Sequence, residues 1–516
     1  MKKAISIDLN SVPGFGKLLK SHLSTNSGFE SKTIEKQLNF RSEFKHREIL
    51  NSRLIEQNKT IDLSSETQKN IALIKEKNTV CITTGHQLAL IGGPLFVAYK
   101  ILTTVKLAKQ YKQKYPTHNF VPVFWLASED HDKAEIDHFT VHGKDFHWET
   151  TQTGAVGKFN TDGIISLLEN IEKEINGLDS NLIDLFKKAY LQKNISEATR
   201  YFVNELFGEY GVIIIDGDDK ELKKLFLPTI KQEVTNKLAF TNVNITNEKL
   251  KAKGFEPAIN PRELNLFLLT ENDRKRIEFN EKRLRTTDES FNWSIDEFIS
   301  FSYEHPEQIS PNVLLRPIYQ ETILPNIAYV GGPAETEYWL QLDDLFLACG
   351  IETPQRVLRI CNTLINEKNL SKLNELGLKT EDLFENETDL IKKVTTLLGG
   401  ENLNFENEKN ELAKLYDKLA IKAKHIDPTL EGSVKAEHAR QEKALDGLFS
   451  KLVKAEKTKQ EIHINRVVKS RNSVLPNGKP QERTNTLFET GNENHIALFN
   501  YILESAELNT MNIALI

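Results

Sequence analysis

The sequence predicts an α/β fold: a parallel-sheet core, inserted connecting segments, and a C-terminal α-helical coiled coil. Three observations predict it. Thr79–Thr83 (TVCIT) and Val121–Ala127 (VPVFWLA) are near-continuous apolar, β-prone runs, as expected of strands buried on both faces. A helical pattern from Pro94, with Leu95, Ala98, Tyr99, Leu102 and Val105 on one face, separates them. Beyond about residue 370 the composition turns polar, and leucines recur at helical spacing.

The elements follow in chain order. Residues 17 to 77 read as helices from the spacing of Leu18, Leu19 and His22, then Ile34, Leu38 and Phe44. Strand, helix and strand over about 50 residues make a βαβ unit, right-handed in nearly all cases. Residues 161–310 read as inserted connecting segments. They hold helices, a strand at Val212–Asp216, and a small antiparallel meander of Leu266–Thr270, Arg274–Phe279 and Arg283–Thr287. Ser294 and Glu297 form a capping box for a short helix. The core is then expected in two parts, 1–160 and 311–370. Residues 371–516 form the C-terminal helical domain with a terminal tail.

Two leucine stripes mark that domain: Leu412, Leu415, Leu419, Ala423 and Ile426, then Leu445, Leu448, Leu452 and Ala455. From Pro428 to about Val468 a single helix would run about 60 Å. Two readings stand, a coiled coil that dimerises and a helical domain closed on its own core.

Composition narrows the function. The chain has 516 residues, 39% hydrophobic and 27% charged, with a net charge of −6. That balance argues against a general nucleic-acid binder. Its three cysteines, Cys81, Cys349 and Cys361, form no CxxC pair, which fits a reducing compartment and no structural zinc site. No run is long and apolar enough for a membrane span or a signal peptide, so a cytoplasmic location is expected.

Chemistry concentrates in two segments. Val121–His138 ends its apolar run in Glu129, Asp130, His131 and Asp132. Four ionisable groups after a buried strand cost solvation energy unless paired or used. They are either a functional cluster or a solvated loop with Asp130 as a helix cap. Asp130 and His131 are the candidate catalytic groups, because a carboxylate or an imidazole at a strand end can take up a substrate's proton. Leu314–Trp339 reads as β-prone and carries Arg316, Gln320, Glu321 and Tyr329, then Gly331-Gly332-Pro333 and Glu335. Arg316 is either an anion clamp or half of a structural salt bridge.

Gly92-Gly93-Pro94 and Gly331-Gly332-Pro333 use one device twice, a glycine turn opening a helix. Free N–H groups there bind anions; the alternative is a tight turn without ligand. Gly93 and Gly332 are the candidate contacts, and a Cβ at Gly332 is expected to crowd the ligand. His86 and Gln87, after the first strand, complete the substrate-binding candidates with Glu129, Asp132, Arg316, Gln320, Tyr329 and Glu335. His131, Glu135 and His138 would share one face of a helix and could ligate a metal, but a proton-transfer role is favoured and no metal is predicted. No Walker A or GxGxxG cradle occurs.

The blocks TTGHQLALIGGP (83–94), VPVFWLASEDHD (121–132), SPNVLLRPIYQETILPNIAYVGGPAETEYW (310–339) and LPNGKPQER (475–483) together resemble the bacillithiol biosynthesis cysteine-adding enzyme family. The resemblance covers nearly the whole chain. It implies a Rossmann-like core similar to nucleotidyltransferases and a C-terminal coiled coil that makes a homodimer. It also implies a cysteine ligase that joins L-cysteine, through its carboxyl group, to the amine of glucosaminyl-malate. That would be the last step in making this low-molecular-weight thiol. Amide formation from a free carboxylate is uphill, so ATP or another nucleotide is an expected activator. A nucleotidyltransferase-like enzyme acting on another amino acid or a nucleotide sugar, or a non-catalytic dimeric scaffold, are the alternatives.

Overall fold

The computed structural model describes residues 2–25, 31–399, 406–491 and 494–516. The chain divides into two compact units. The first holds Met1–Asn10, Gly14–Thr363 and Glu482–Ala514; the second holds Ser11–Pro13, Leu364–Gln481 and Leu515–Ile516.

The first unit is built on a five-stranded sheet. Its strands are β1 (Thr79–His86), β2 (Asn119–Leu126), β3 (Ile213–Asp216), β4 (Asn326–Gly331) and β5 (Gln355–Leu358), in the order β5-β4-β1-β2-β3. Every neighbouring pair is parallel. β1, β2 and β4 are buried almost throughout, which explains their continuous apolar runs. Successive side chains feed two cores. Val80, Ile82, Phe120, Ile327 and Val330 pack on one face, with Leu107 and Tyr111 of helix α1 (Leu95–Lys114). Cys81, Val121, Val123, Trp125 and Ile215 pack on the other.

From β1 the chain winds to β2 and β3, then crosses back to β4 and β5. The reversal falls between β1 and β4, a switch point that leaves a crevice at the strands' carboxyl ends.

Three expectations from sequence are corrected here. β3 was assigned to an inserted segment but is an edge strand of the sheet, because parallel pairing joins strands far apart in sequence. Arg316 lies in helix α2 (Arg316–Ile323), not in a strand; Pro317 at a helix start needs no N–H partner. Glu482–Ala514 of the expected terminal tail groups with the first compact unit rather than with the helices before it. Helix Asn494–Glu504 lies on α1, where Lys106 Nζ donates to Ile502 O (3.2 Å) and Leu503 O (2.9 Å).

The predicted meander forms within a five-stranded antiparallel sheet that Ile309–Pro311 completes. The Ser294 capping box is present: Glu297 N donates to Ser294 Oγ at 3.2 Å, and Ser294 N to Glu297 Oε2 at 2.6 Å.

The second unit is helical. Glu406–Ile426 and Leu430–Lys459 form a hairpin, closed by Lys409–Asp446 (2.7 Å) and a Tyr416–His438 stack (5.1 Å). The expected single helix from Pro428 breaks at Gln460, and Glu461–Val474 follows.

Candidate active site in the crevice

The crevice is a cavity of about 560 Å³. β1 brings Gly85, His86 and Gln87; β2 brings Trp125 and the following Ser128, Glu129 and Asp130. β4 brings Tyr329, and helix α3 (Pro333–Trp339) brings Glu335 and Tyr338. Lys100, Phe267, Arg274, Asn312, Arg316, Arg359 and Arg483 complete much of the wall. Gly85 keeps β1 close to β2: a Cβ there would lie 3.1 Å from Trp125 Cβ.

The lining is rich in buried charge, and most of it is paired. Glu335 forms an ion pair with buried Lys100, and its carboxylate accepts from Gly332 N (2.8 Å) and Tyr329 Oη (3.0 Å). Burial alone would raise the Glu335 pKa; Lys100 and the Gly332 N–H outweigh burial and hold it down to about 2. Lys100 also donates to Gly85 O at 2.8 Å. Arg359 is paired with Glu482 at 2.7 Å. Glu129, half-buried, is paired with buried Lys223 at 2.6 Å, and Lys223 also meets Asp218 at 2.7 Å.

Asp130 is held from several sides. It accepts from Gln87 Nε2 (3.0 Å) and His131 N (2.7 Å), and lies 3.8 Å from Arg274 Nη1. Burial pushes its pKa up, but the His131 ring, 3.5 Å away, then Gln87 and Arg274, outweigh burial and keep it well below the usual carboxylate range. His86 packs edge-on against Phe96, with ring centroids 5.0 Å apart. Burial, then the Lys100 charge, lower its pKa to about 3, so its imidazole is neutral and can donate or accept a hydrogen bond.

Arg316, half-buried in the wall, differs from the buried cations. Its guanidinium lies over Trp125 (5.7 Å), Tyr329 (5.4 Å) and Trp339 (5.9 Å), and donates to Gln320 Oε1 at 3.0 Å. Among the described residues no carboxylate lies within 4.0 Å of it. A half-buried guanidinium stacked on rings, with Gln320 and Tyr338 as polar neighbours and no carboxylate in contact, has the chemistry to receive an anionic group.

The structure thus brings eight predicted residues to the cavity: His86, Gln87, Glu129, Asp130, Arg316, Tyr329, Gly332 and Glu335. Four stand outside its lining. Gly93 sits in a tight turn at φ +69°, where a Cβ would meet Ala89 Cβ at 3.0 Å. Asp132 is exposed. Gln320 is buried behind Arg316 and orients it. His131 is exposed beside the wall, its ring 5.9 Å from Phe267 and its Nδ1 3.5 Å from Arg274 Nη1.

The second glycine turn also differs from expectation. Gly332 N is already taken by Glu335 in a local cap, so it is not a free anion donor. The His131, Glu135, His138 trio does not share a helix face. Lys133–Glu135 is a single 3-10 turn and His138 begins a strand.

Sequence reasoning missed Lys100, Arg274, Arg359 and Arg483 as cavity residues. A lysine inside LFVAYKILTTV was a visible signal for Lys100, and Arg359 follows a strand end. Arg483 lies in the late block at 475–483. Nothing local marks Arg274, which arrives from the antiparallel sheet.

Residues 10–360 match the family model for the bacillithiol biosynthesis BshC N-terminal Rossmann-like domain, and residues 362–511 match that for its C-terminal coiled-coil domain. The chain belongs to the BshC family. A relative from Flavobacterium johnsoniae is 38% identical over 92% of this chain and 89% of its own length. One from Cytophaga hutchinsonii is 40% identical over 91% of this chain and 88% of its own length. One from Bacillus cereus is 27% identical over 85% and 84%. Each is named "Putative cysteine ligase BshC". The parallel sheet and the helical hairpin are the Rossmann-like and coiled-coil parts of this family, and the family assignment makes the chain an enzyme of bacillithiol biosynthesis. Among the described residues no helix is long and apolar enough to cross a membrane.

Proposed function

We propose that the crevice joins L-cysteine, through its carboxyl group, to the amine of glucosaminyl-malate, completing bacillithiol in the cytoplasm. The observation that carries this reading is Arg316, a half-buried cation in the cavity with no carboxylate of its own. A malate carboxylate would supply the missing anion. Asp130, ionised at neutral pH, would attract the substrate's ammonium group. So low a pKa makes Asp130 a poor general base, which moves proton removal to His131 or water. Neutral His86 would hydrogen-bond the substrate.

The cysteine carboxylate must be activated before the amine attacks. ATP or another nucleotide is the proposed activator; the carboxylate oxygen then leaves with the activating group as the C–N bond forms. Arg316, Arg359 and Arg483 offer cationic groups on one wall, equally suited to phosphate or carboxylate. The leucine stripes of the helical hairpin are the proposed homodimer contact.

Mass-spectrometric detection of bacillithiol from cysteine, glucosaminyl-malate and candidate nucleotides tests the reaction. Thiol product that depends on both substrates and is lost on changing Arg316 supports it. Cysteine-independent ATP–pyrophosphate exchange with a nucleotide sugar would favour a nucleotidyltransferase instead.

A further inference from the structure

Beyond the cavity, the hairpin His138–Val141 and Lys144–His147 carries a second group of chemistry-bearing side chains. Its register pairs His138 with His147, Phe139 with Phe146 and Thr140 with Asp145. Alternation along the strands sends Phe139 and Phe146 to the core, where their rings stack at 6.0 Å. The same alternation sends both histidines to the solvent face, where their rings stack at 5.5 Å and 22°. Asp137 immediately precedes the hairpin, and its Oδ1 lies 3.2 Å from His138 Nδ1.

One donor atom from each of Asp137, His138 and His147 lies within 4.8 Å of the other two. Metal–nitrogen bonds of about 2.0–2.1 Å place tetrahedral donors roughly 3.3 Å apart. Rotation of exposed side chains closes that difference without moving the backbone.

The backbone beneath is held in place. Trp148 N donates to Asp137 O at 2.7 Å, closing the open end of the hairpin. Trp148 Nε1 donates to Asp162 O at 2.8 Å, and His142 N at the tip donates to Glu489 Oε1 at 2.8 Å. The donors therefore sit on a fixed frame, which lowers the cost of gathering them around an ion.

We propose that Asp137, His138 and His147 bind a divalent transition-metal ion of the zinc, nickel or copper type. Two imidazoles and one carboxylate suit such ions and disfavour magnesium and calcium, which take all-oxygen shells. The remaining coordination positions face water. The site lies outside the cavity lining and is independent of the cysteine-adding reaction. It also differs from the trio that helical spacing suggested: cross-strand pairing recruits His147, and neither His131 nor Glu135 belongs to it.

Zinc chloride is titrated by calorimetry into the full chain carrying no polyhistidine tag. The expected result is one zinc ion per chain, with affinity weakened about tenfold or more in both His138→Ala and His147→Ala. Cobalt should give visible d–d bands in the wild type that His147→Ala abolishes. His425→Ala, a surface histidine in the second unit, should bind as the wild type does. No zinc binding, or equal binding in His147→Ala, overturns the site. Equal weakening in His425→Ala shows scattered surface histidines instead and overturns it too. Both histidines are exposed, so their variants should fold, and unchanged circular dichroism verifies that.

Discussion

At the carboxyl edge of the central sheet, charge is buried: Lys100 is 1% exposed and Arg359 2%. Along the helical hairpin, apolar side chains are exposed: Leu415 is 53%, Leu419 41%, Leu448 49% and Leu452 41% exposed. Each region inverts the usual partition, in opposite directions. Buried charge needs partners of fixed geometry, and where one is missing a small anionic ligand fits. Exposed leucines need only area, which a second chain would provide in the proposed homodimer. On the proposed function, the first unit is organised for recognition and the second for association.

The comparison is broken most severely by stranding a buried charge. Glu335→Ala leaves Lys100 without its partner and is expected to cost about 3–5 kcal/mol, read as a lowered Tm by calorimetry. Lys100→Met combined with Glu335→Leu should recover much of that loss. An undiminished Tm in Glu335→Ala would mean the pair is solvated. The same carboxylate sets an acid limit. Its pKa is depressed from 4.5 to about 2 on folding, so its stabilisation is complete above about pH 4.5 and is lost as pH falls toward 2. Urea denaturation across that window should show a shallower pH slope in Glu335→Gln.

Removing a charge that has no carboxylate tests the other half of the cavity. Arg316→Met should keep the fold and lower kcat/KM for glucosaminyl-malate about 100-fold, equivalent to roughly 2.7 kcal/mol. Unaltered kcat/KM would mean that the guanidinium serves packing on the aromatic rings.

In the second unit, a fourfold change of Leu415, Leu419, Leu448 and Leu452 to Ser should convert a dimer to monomers in light scattering. Each buried leucine contributes about 1.5–3 kcal/mol. Activity per chain should persist, since the cavity residues all lie in the first unit. A wild-type monomer at micromolar concentration would remove the association role.

The smallest effect is expected at Gly332→Ala. A Cβ there would meet Glu335 Oε2 at 3.4 Å, an ordinary contact, and its extended backbone suits any residue. Activity should change by less than about twofold, since no cap is lost and no clash is made. A large loss would restore the close-approach role that the glycine pair suggested.

These outcomes also mark what the sequence could carry. TVCIT and VPVFWLA announced β1 and β2 because strands buried on both faces need uninterrupted apolar residues. Glu129, Asp130, Gly332 and Glu335 were found because strand ends in such sheets carry the chemistry. Arg316 was recognised as an unusual cation, but its helix was missed: a short amphipathic turn between two apolar runs looks β-prone when neighbouring packing is unknown. Helical spacing misled at His131, Glu135 and His138, where Asp130 folds the chain into a turn through its bonds to the next two backbone N–H groups, at 2.7 and 3.4 Å. Arg274 and Arg483 were invisible as cavity residues because only tertiary folding brings their segments to β1 and β2.

The pairing of Arg359 with Glu482 bears on how the protein is made. A ribosome delivers residues in order, so Arg359 leaves the exit tunnel long before its carboxylate does. Until Glu482 arrives, the cavity floor contains an uncompensated cation, and burying it is unfavourable. This later-made stretch therefore acts as a completion signal for a wall begun far earlier. A chain halted near residue 370 would lack this stretch and the helix on α1, and would test an unfinished active site as much as a missing coiled coil.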